Sequence, residues 1–526
     1  MPNVRHIVGP PGTGKTETLA AEVGRLIEAG TDPGRMAVCT FTRAGAEEAG
    51  SRMAERFGLD PDRLPWWRTL HGIGLRFIRQ DRGVDVAAGK HWREFCAAHS
   101  LATNPDTYRA NPEEYEEEAE GDVLRSFHDW RRHNLLSLEV GYRMYITRFP
   151  DGLPVSMERI RWFEREWSAF KQDKSLVDYG DMLDEPERAG WSPEIDVLVV
   201  DEAQDLTPVQ VSLVRRWSER ADLILGYDDD QTIYPYMGAN PTWLMDGRSP
   251  YKSLGQSHRV PKRIWDLANR LISRNRRRRP KTWSPRGEEG SVERDVPLDL
   301  LPRRIAGESG TWFVLTRNHY HLAHVTKMLN DAGIAYWNRS GWCPLRRLRD
   351  RPTLEYALRL VLREPIEASA VEALLRDRSL AHLWLPQAKM ALRSMTNGAP
   401  DRLLDLMDLE RLLAPEAADA LRGAEGLLSV FGLEPWQARY YLDVLRREGK
   451  DGLLCPPRVE VGTIHSVKGA QADHVAVLPN MTRRTAHGYD EDPEPERRVW
   501  YVAVTRAREH LILLDRIGKG RYFDEL

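Results

Sequence analysis

Four cysteines in 526 residues (Cys39, Cys96, Cys343 and Cys455) lie far apart and share no metal or disulfide spacing. That scarcity excludes a disulfide-stapled secreted scaffold and a thiolate zinc ribbon, and makes a reduced, cytoplasmic protein the expectation. No run of eighteen apolar residues occurs, and the charged N-terminus lacks an apolar signal core, so neither a membrane partner nor a secretory leader is expected. Strong charge of one sign is also missing: 76 Lys and Arg face 79 Asp and Glu, for a net charge of −3. A uniformly basic polyanion binder is excluded, whereas a local groove for a strand is not. The sequence has no internal repeat and no low-complexity linker.

What remains is long enough for several domains and, at 41% apolar, well supplied for their cores. Strand-then-helix alternation dominates roughly residues 1–80, 195–340 and 458–515, with buried-strand candidates at 36–40, 195–200, 223–226, 311–316, 459–463 and 510–514. Such alternation predicts an α/β fold of parallel sheets covered by helices. Residues 84–185 are helical, aromatic and charged; residues 349–455 carry Leu-, Arg- and Ala-rich amphipathic segments broken by Pro386, Pro400, Pro415 and Pro435. Both read as helical insertions into α/β cores. The basic run Arg274-Asn275-Arg276-Arg277-Arg278-Arg279 and the acidic stretch 113–120 read as solvated faces.

Between a short apolar strand at 4–8 and a helical stretch at 15–29 stands Gly9-Pro10-Pro11-Gly12-Thr13-Gly14-Lys15-Thr16. Glycines in this pattern let backbone N–H groups wrap phosphates, and the helix N-terminus adds partial positive charge. Lys15 would reach the outer phosphates and the Thr16 hydroxyl would hold Mg²⁺, so ATP with Mg²⁺ is the expected cofactor pair.

Downstream, the 195–200 strand runs into Asp201-Glu202-Ala203-Gln204. A carboxylate at a strand end beside a phosphate loop suits a metal, and the next one can polarise water; Asp201 is assigned to Mg²⁺ and Glu202 to general base. Gln231, whose amide can both accept and donate, is a candidate γ-phosphate sensor. Arg259 and Arg506 stand where transition-state charge would call for arginine fingers, although either one alone is more often a surface residue.

In order along the chain, these elements resemble the motifs of the superfamily 1A helicases, the UvrD, Rep and PcrA group. The resemblance runs through Cys39-Thr40-Phe41-Thr42-Arg43-Ala44, Thr69-Leu70-His71-Gly72, Val177-Asp178-Tyr179-Gly180-Asp181-Met182-Leu183 and Asp201-Glu202-Ala203-Gln204-Asp205. It continues through Asp229-Asp230-Gln231-Thr232-Ile233-Tyr234, Gln256-Ser257-His258-Arg259, Thr463-Ile464-His465-Ser466-Val467-Lys468-Gly469 and Glu496-Arg497-Arg498-Val499-Trp500-Tyr501 through Ala507. It implies two RecA-like parallel-sheet P-loop domains, each with a mainly helical insertion: 1A at 1–83 and 186–254, 1B at 84–185, 2A at 255–348 and 456–526, and a compact 2B at 349–455.

The same resemblance implies an ATP-dependent 3′-to-5′ single-stranded DNA translocase and helicase in replication, repair or recombination. It would act on single strands and single-strand/duplex junctions, in the cytoplasm of a bacterium or phage-infected host, with a loading or repair protein as a possible partner. A protein-stripping translocase with little unwinding, or a nucleotide-dependent switch without motor activity, are the competing readings. Phe41, Tyr234 and Tyr236 stand at the family's stacking positions, and aromatic stacking holds bases without reading them. Thr42, Thr69, His71, Thr463 and His465 would contact or organise the strand. Arg43, His258, Gly469 and Gln471 join the phosphate loop on the nucleotide side. With eight residues ahead of Gly9, the family's adenine-reading glutamine has no counterpart, so relaxed base selectivity is expected; His258 in place of a stacking tyrosine points the same way.

Overall fold

The computed structural model describes residues 3–40, 55, 57–60, 63–103, 119–148, 155–245, 251–338, 359, 364–376, 378–420 and 435–526. Two parallel sheets organise it. The first comprises β1 (Val4–Val8), β2 (Met36–Cys39), β3 (Val197–Val200), β4 (Asp222–Tyr227) and β5 (Tyr251–Ser253), in the order β2-β3-β4-β1-β5. The second comprises β6 (Ser291–Val296), β7 (Trp312–Thr316), β8 (Tyr336–Trp337), β9 (Val459–Thr463), β10 (Ala472–Leu478) and β11 (Ala507–Leu514), in the order β8-β9-β7-β10-β11-β6. Central strands such as Val-Leu-Val-Val of β3 are apolar throughout because helices cover both faces of a parallel sheet.

In each sheet the chain leaves and returns to the neighbouring position. β2 pairs with β3 although the helices between them build a separate body, and β8 pairs with β9 across the whole 338–458 interval. Helices Gly89–Ala98, Glu120–His133 and Met157–Asp173 close the first insertion around Trp92, Phe95, Phe127, Phe163 and Trp167. Ser156 caps the last of these by accepting from the backbone N–H of Arg159 at 3.1 Å. Arg132 and Lys171 of this insertion reach Asp178, Asp181 and Asp184: Arg132 at 2.9, 2.7 and 2.5 Å, Lys171 at 2.5 Å from the first two. The second insertion gathers helices Ala368–Arg376, Ala388–Thr396 and Leu406–Glu410 on a core of Leu374, Leu392, Leu404 and Leu412. This α/β architecture is the RecA-like pair with helical insertions that the sequence predicts.

The two sheets keep separate cores joined by short segments. Tyr227, at the end of β4, packs with Leu198, Val200 and Leu225 of the first sheet. Ile233 packs instead with Leu267, Val475, Trp500 and Val502 of the second. No described helix is long and apolar enough to cross a membrane.

Candidate functional site

The phosphate-loop sequence forms a turn immediately after β1. The Gly9 N–H donates to Tyr227 O at 3.0 Å and Thr13 Oγ1 to Pro10 O at 2.8 Å. Gly12 and Gly14 sit at φ +72° and +77°, the left-handed region that costs a side-chain residue about 1–2 kcal/mol. Gly14 then starts the helix Lys15–Glu28, whose first N–H groups face the loop. Gly12 has a second requirement. A Cβ there would lie 2.4 Å from Arg259 Cβ, because the loop is seated on Ser257-His258-Arg259: Ser257 Oγ donates to Pro11 O and His258 N to Gly12 O, both at 2.8 Å.

Thr16 and Asp201 meet directly, Thr16 Oγ1 donating to Asp201 Oδ2 at 2.7 Å. Lys15 Nζ lies 2.5 Å from Glu202 Oε1 and 3.6 Å from Asp201 Oδ1. Glu202 adopts φ +56°, a conformation rare outside glycine that is concentrated at functional sites. Its other oxygen accepts from Gln204 Nε2 at 2.5 Å, and Gln204 Oε1 accepts from the Asp228 N–H at 3.1 Å. Burial opposes the charge on Glu202, yet Lys15 and then Lys468 hold its carboxyl down at about 2. The threonine hydroxyl and strand-end carboxylate form an oxygen pair of the type that suits Mg²⁺.

Lys468, which follows β9, Arg506, which directly precedes β11, and Arg259, ahead of β6, complete the ring from the second lobe. Arg506 Nη2 donates to Gln231 Oε1 at 2.9 Å, and Gln231 Nε2 to Asp228 Oδ2 at 2.8 Å. Lys468 Nζ donates to Gln231 O at 2.6 Å and pairs with Asp205. Arg259 Nε donates to Gln471 Oε1 at 2.7 Å, beside Gly469 at φ +83°. Burial, with Arg259 nearby, lowers the Arg506 guanidinium to about 9, and burial lowers Arg259 to about 10. Two partly uncompensated guanidiniums at one seam concentrate positive charge there, which an anionic group could offset.

The other expected positions lie beside this ring: Lys468 Nζ sits 5.2 Å over the Tyr234 ring, and Thr69 and His71 line a small cavity with Asp201. Tyr234, Tyr236 and His465 form a cluster with ring centroids 6.0 Å apart pairwise, and His465 Nε2 approaches Ile233 O at 3.1 Å. Thr463 closes β9 and is buried; Thr69 caps the helix Leu70–Asp81 by accepting from the Gly72 N–H at 3.1 Å. His71 packs edge-on against Tyr179 at 5.7 Å, and burial, with His133 nearby, drives its imidazole down to about 3. Phe41, Thr42 and Arg43 lie outside the described residues.

The basic run is a correction. Arg274 and Arg277 are exposed as expected, but Arg278 pairs bidentately with Asp230 at 2.8 and 2.6 Å, and the Arg279 N–H donates to Asp229 Oδ2 at 2.7 Å. Lys281 Nζ follows, 2.7, 2.5 and 2.9 Å from Asp228, Asp229 and Asp230. The run crosses between lobes because three buried carboxylates demand counter-ions. Sequence reasoning missed Lys281, which carries no local signal, read Arg278 as solvated, and gave Lys468 no role although it stands in a quoted motif. Among the described residues, one cluster of three His, Cys or acidic side chains is close enough to share an ion: Glu308, His474 and His510. His474 and His510 stack 5.0 Å apart at 7°, so their in-plane lone pairs run side by side and do not converge on an ion.

A family model described as the UvrD/REP helicase N-terminal domain matches residues 3–252, and another, the UvrD-like helicase C-terminal domain, matches residues 458–514. The chain is 27% identical over 581 residues to the ATP-dependent DNA helicase UvrD2 of Mycobacterium tuberculosis, covering 98% of this chain and 77% of that protein. It is 22% identical over 590 residues to the putative ATP-dependent DNA helicase YjcD of Bacillus subtilis, covering 96% and 76%. To the ATP-dependent DNA helicase PcrA of Leuconostoc citreum it is 25% identical over 305 residues, 54% of this chain and 39% of that one.

Proposed function

We propose, from the premise that this chain belongs to the UvrD/Rep family of ATP-dependent DNA helicases, that it moves 3′ to 5′ along single-stranded DNA and opens duplex ahead of it. ATP lies at the seam between the lobes. Lys15 and the Gly9–Thr16 backbone bind its phosphates, Glu202 takes the proton of the attacking water, and Gln231 orients that water. Arg259 and Arg506 stabilise charge on the transferred phosphoryl group, a role typically worth about 10³ to 10⁵ in rate. Mg²⁺, when bound, would neutralise phosphate charge; Thr16 and Asp201 would hold it. Arg43, His258, Gly469 and Gln471 complete the nucleotide side.

Tyr234 and Tyr236, with Phe41, stack on successive bases, and Thr42, Thr69, His71, Thr463 and His465 organise the strand. The 3′-to-5′ sense is supported by the Gln231-Thr232-Ile233-Tyr234 form of the third motif. Single strands and single-strand/duplex junctions in a bacterial cytoplasm are the substrates, with a loading, replication or repair protein as partner.

One observation carries this reading: Gln231 follows a first-lobe strand but is gripped by Arg506 and Lys468 of the second lobe, so closing the seam and assembling the hydrolysis site are one event. Unwinding of matched 3′-tailed and 5′-tailed duplexes, alongside ATPase with and without single strand, tests it. Preference for the 3′ tail and DNA-stimulated hydrolysis are expected; hydrolysis indifferent to DNA, or preference for the 5′ tail, overturns it.

A further inference from the structure

Asp228, Asp229 and Asp230 are consecutive and essentially unexposed, at 0 to 1%. Three adjacent carboxylates removed from water cannot all remain ionised without cations in contact. The cations come from the other lobe. Lys281, with a side chain 2% exposed, touches all three, and Arg278 takes both oxygens of Asp230. Lys281 is anchored to the second core by its neighbour Trp283, whose carbonyl accepts from Trp265 Nε1 at 3.1 Å.

Asp228 uses its two oxygens differently. Oδ1 meets Lys281, while Oδ2 accepts from Gln231 Nε2, which leaves Gln231 Oε1 for Arg506. An ionised Asp228 can only accept, so it dictates which end of the Gln231 amide faces Arg506; a protonated Asp228 would not. Burial raises the Asp228 carboxyl even with Lys281 beside it. Removing Lys281 would therefore favour the protonated form and release the amide.

We propose that Lys281, assisted by Arg278, is a positioning residue for ATP hydrolysis: it holds Asp228 as an anion across the seam, and through Asp228 it fixes the Gln231 amide toward Arg506. The role rests on Gln231 acting in hydrolysis, as in the preceding reading. It reaches beyond the motifs, since Lys281 lies outside all of those quoted and acts through the three buried carboxylates.

The test is a double-mutant cycle of Lys281→Met and Gln231→Ala, read as steady-state ATPase kcat and ATP KM with and without single-stranded DNA, with melting curves for each variant. Lys281→Met should lower kcat by about tenfold or more, with KM for ATP within about threefold. The double variant should be no slower than Gln231→Ala alone by more than about twofold, and Lys281→Arg should recover most of the rate. Unchanged kcat in Lys281→Met, or losses that multiply in the double variant, overturns the proposal. Should Lys281→Met not fold, Arg278→Met takes its place, with the same non-additivity expected and multiplication again fatal. A wild type whose hydrolysis ignores DNA would sink the motor reading, while the cycle, read on basal hydrolysis, still decides this one.

Discussion

Replacing Glu202 by Gln separates two consequences of the Lys15 contact. Glu202 is drawn from its ordinary 4.5 to about 2, which corresponds to about 3 kcal/mol of preference for the ionised form at 1.36 kcal/mol per pH unit. Lys15, 2.5 Å away, supplies the largest favourable share, and nucleotide must win that ammonium away from the carboxylate. An amide of the same shape removes the competing anion, while Asp201 at 3.6 Å keeps part of the hold on Lys15. Part of that preference, on the order of 1 kcal/mol, should therefore return to nucleotide binding, tightening its Kd about three- to tenfold. Hydrolysis should fall by about 10² to 10⁴ with the general base gone. Fluorescent-nucleotide titration and single-turnover hydrolysis with single-stranded DNA measure the two arms. Weaker nucleotide binding, or a rate within tenfold of wild type, refutes the reasoning.

Tyr236→Ala should weaken single-strand binding by about 1–3 kcal/mol, roughly 5- to 150-fold in Kd, with a smaller effect on basal ATPase; equal losses in both would remove the stacking role. Arg132→Met removes the ion pair at Asp184, leaves Asp178 and Asp181 to Lys171, and should cost about 3–5 kcal/mol in chemical denaturation, a loss under about 1 kcal/mol being the contrary result. Burial lifts the Asp205 carboxyl from 3.8 to about 6 against the pull of Lys468. The folded chain thus holds a proton there that the unfolded chain has released. That stabilisation is fully present below pH 3.8 and lost as pH rises through 6, so the melting temperature of wild type relative to Asp205→Asn should be higher at pH 5 than at pH 7.

Elements whose signal is local were legible in the sequence. β1 and the helix after the phosphate loop fall at their expected residues because apolar run, glycine turn and helix start are contiguous. Strand ends were less so. β3 begins at Val197, two residues after the expected 195, although the Asp196 backbone already bonds Arg35 O at 2.8 Å and the Asp222 N–H at 2.9 Å. β11 begins at Ala507, three residues before 510, because β10 offers a partner from Ala472 onward. Within the site, the same locality explains why Lys15, Asp201 and Glu202 could be singled out in the sequence and Lys281 could not. The phosphate loop announces itself by spacing, whereas the value of Lys281 depends on acids more than fifty positions earlier. Arg278 and Arg279 read as solvated for that reason, since only the folded chain brings Asp229 and Asp230 to them.

Tyr227 and Ile233 are each locked in a different hydrophobic interior, and the stretch between them cannot exceed roughly 20–22 Å even when drawn straight. The span is a leash. It lets one half of the molecule rock, twist or shift against the other within that reach but forbids them to drift further apart.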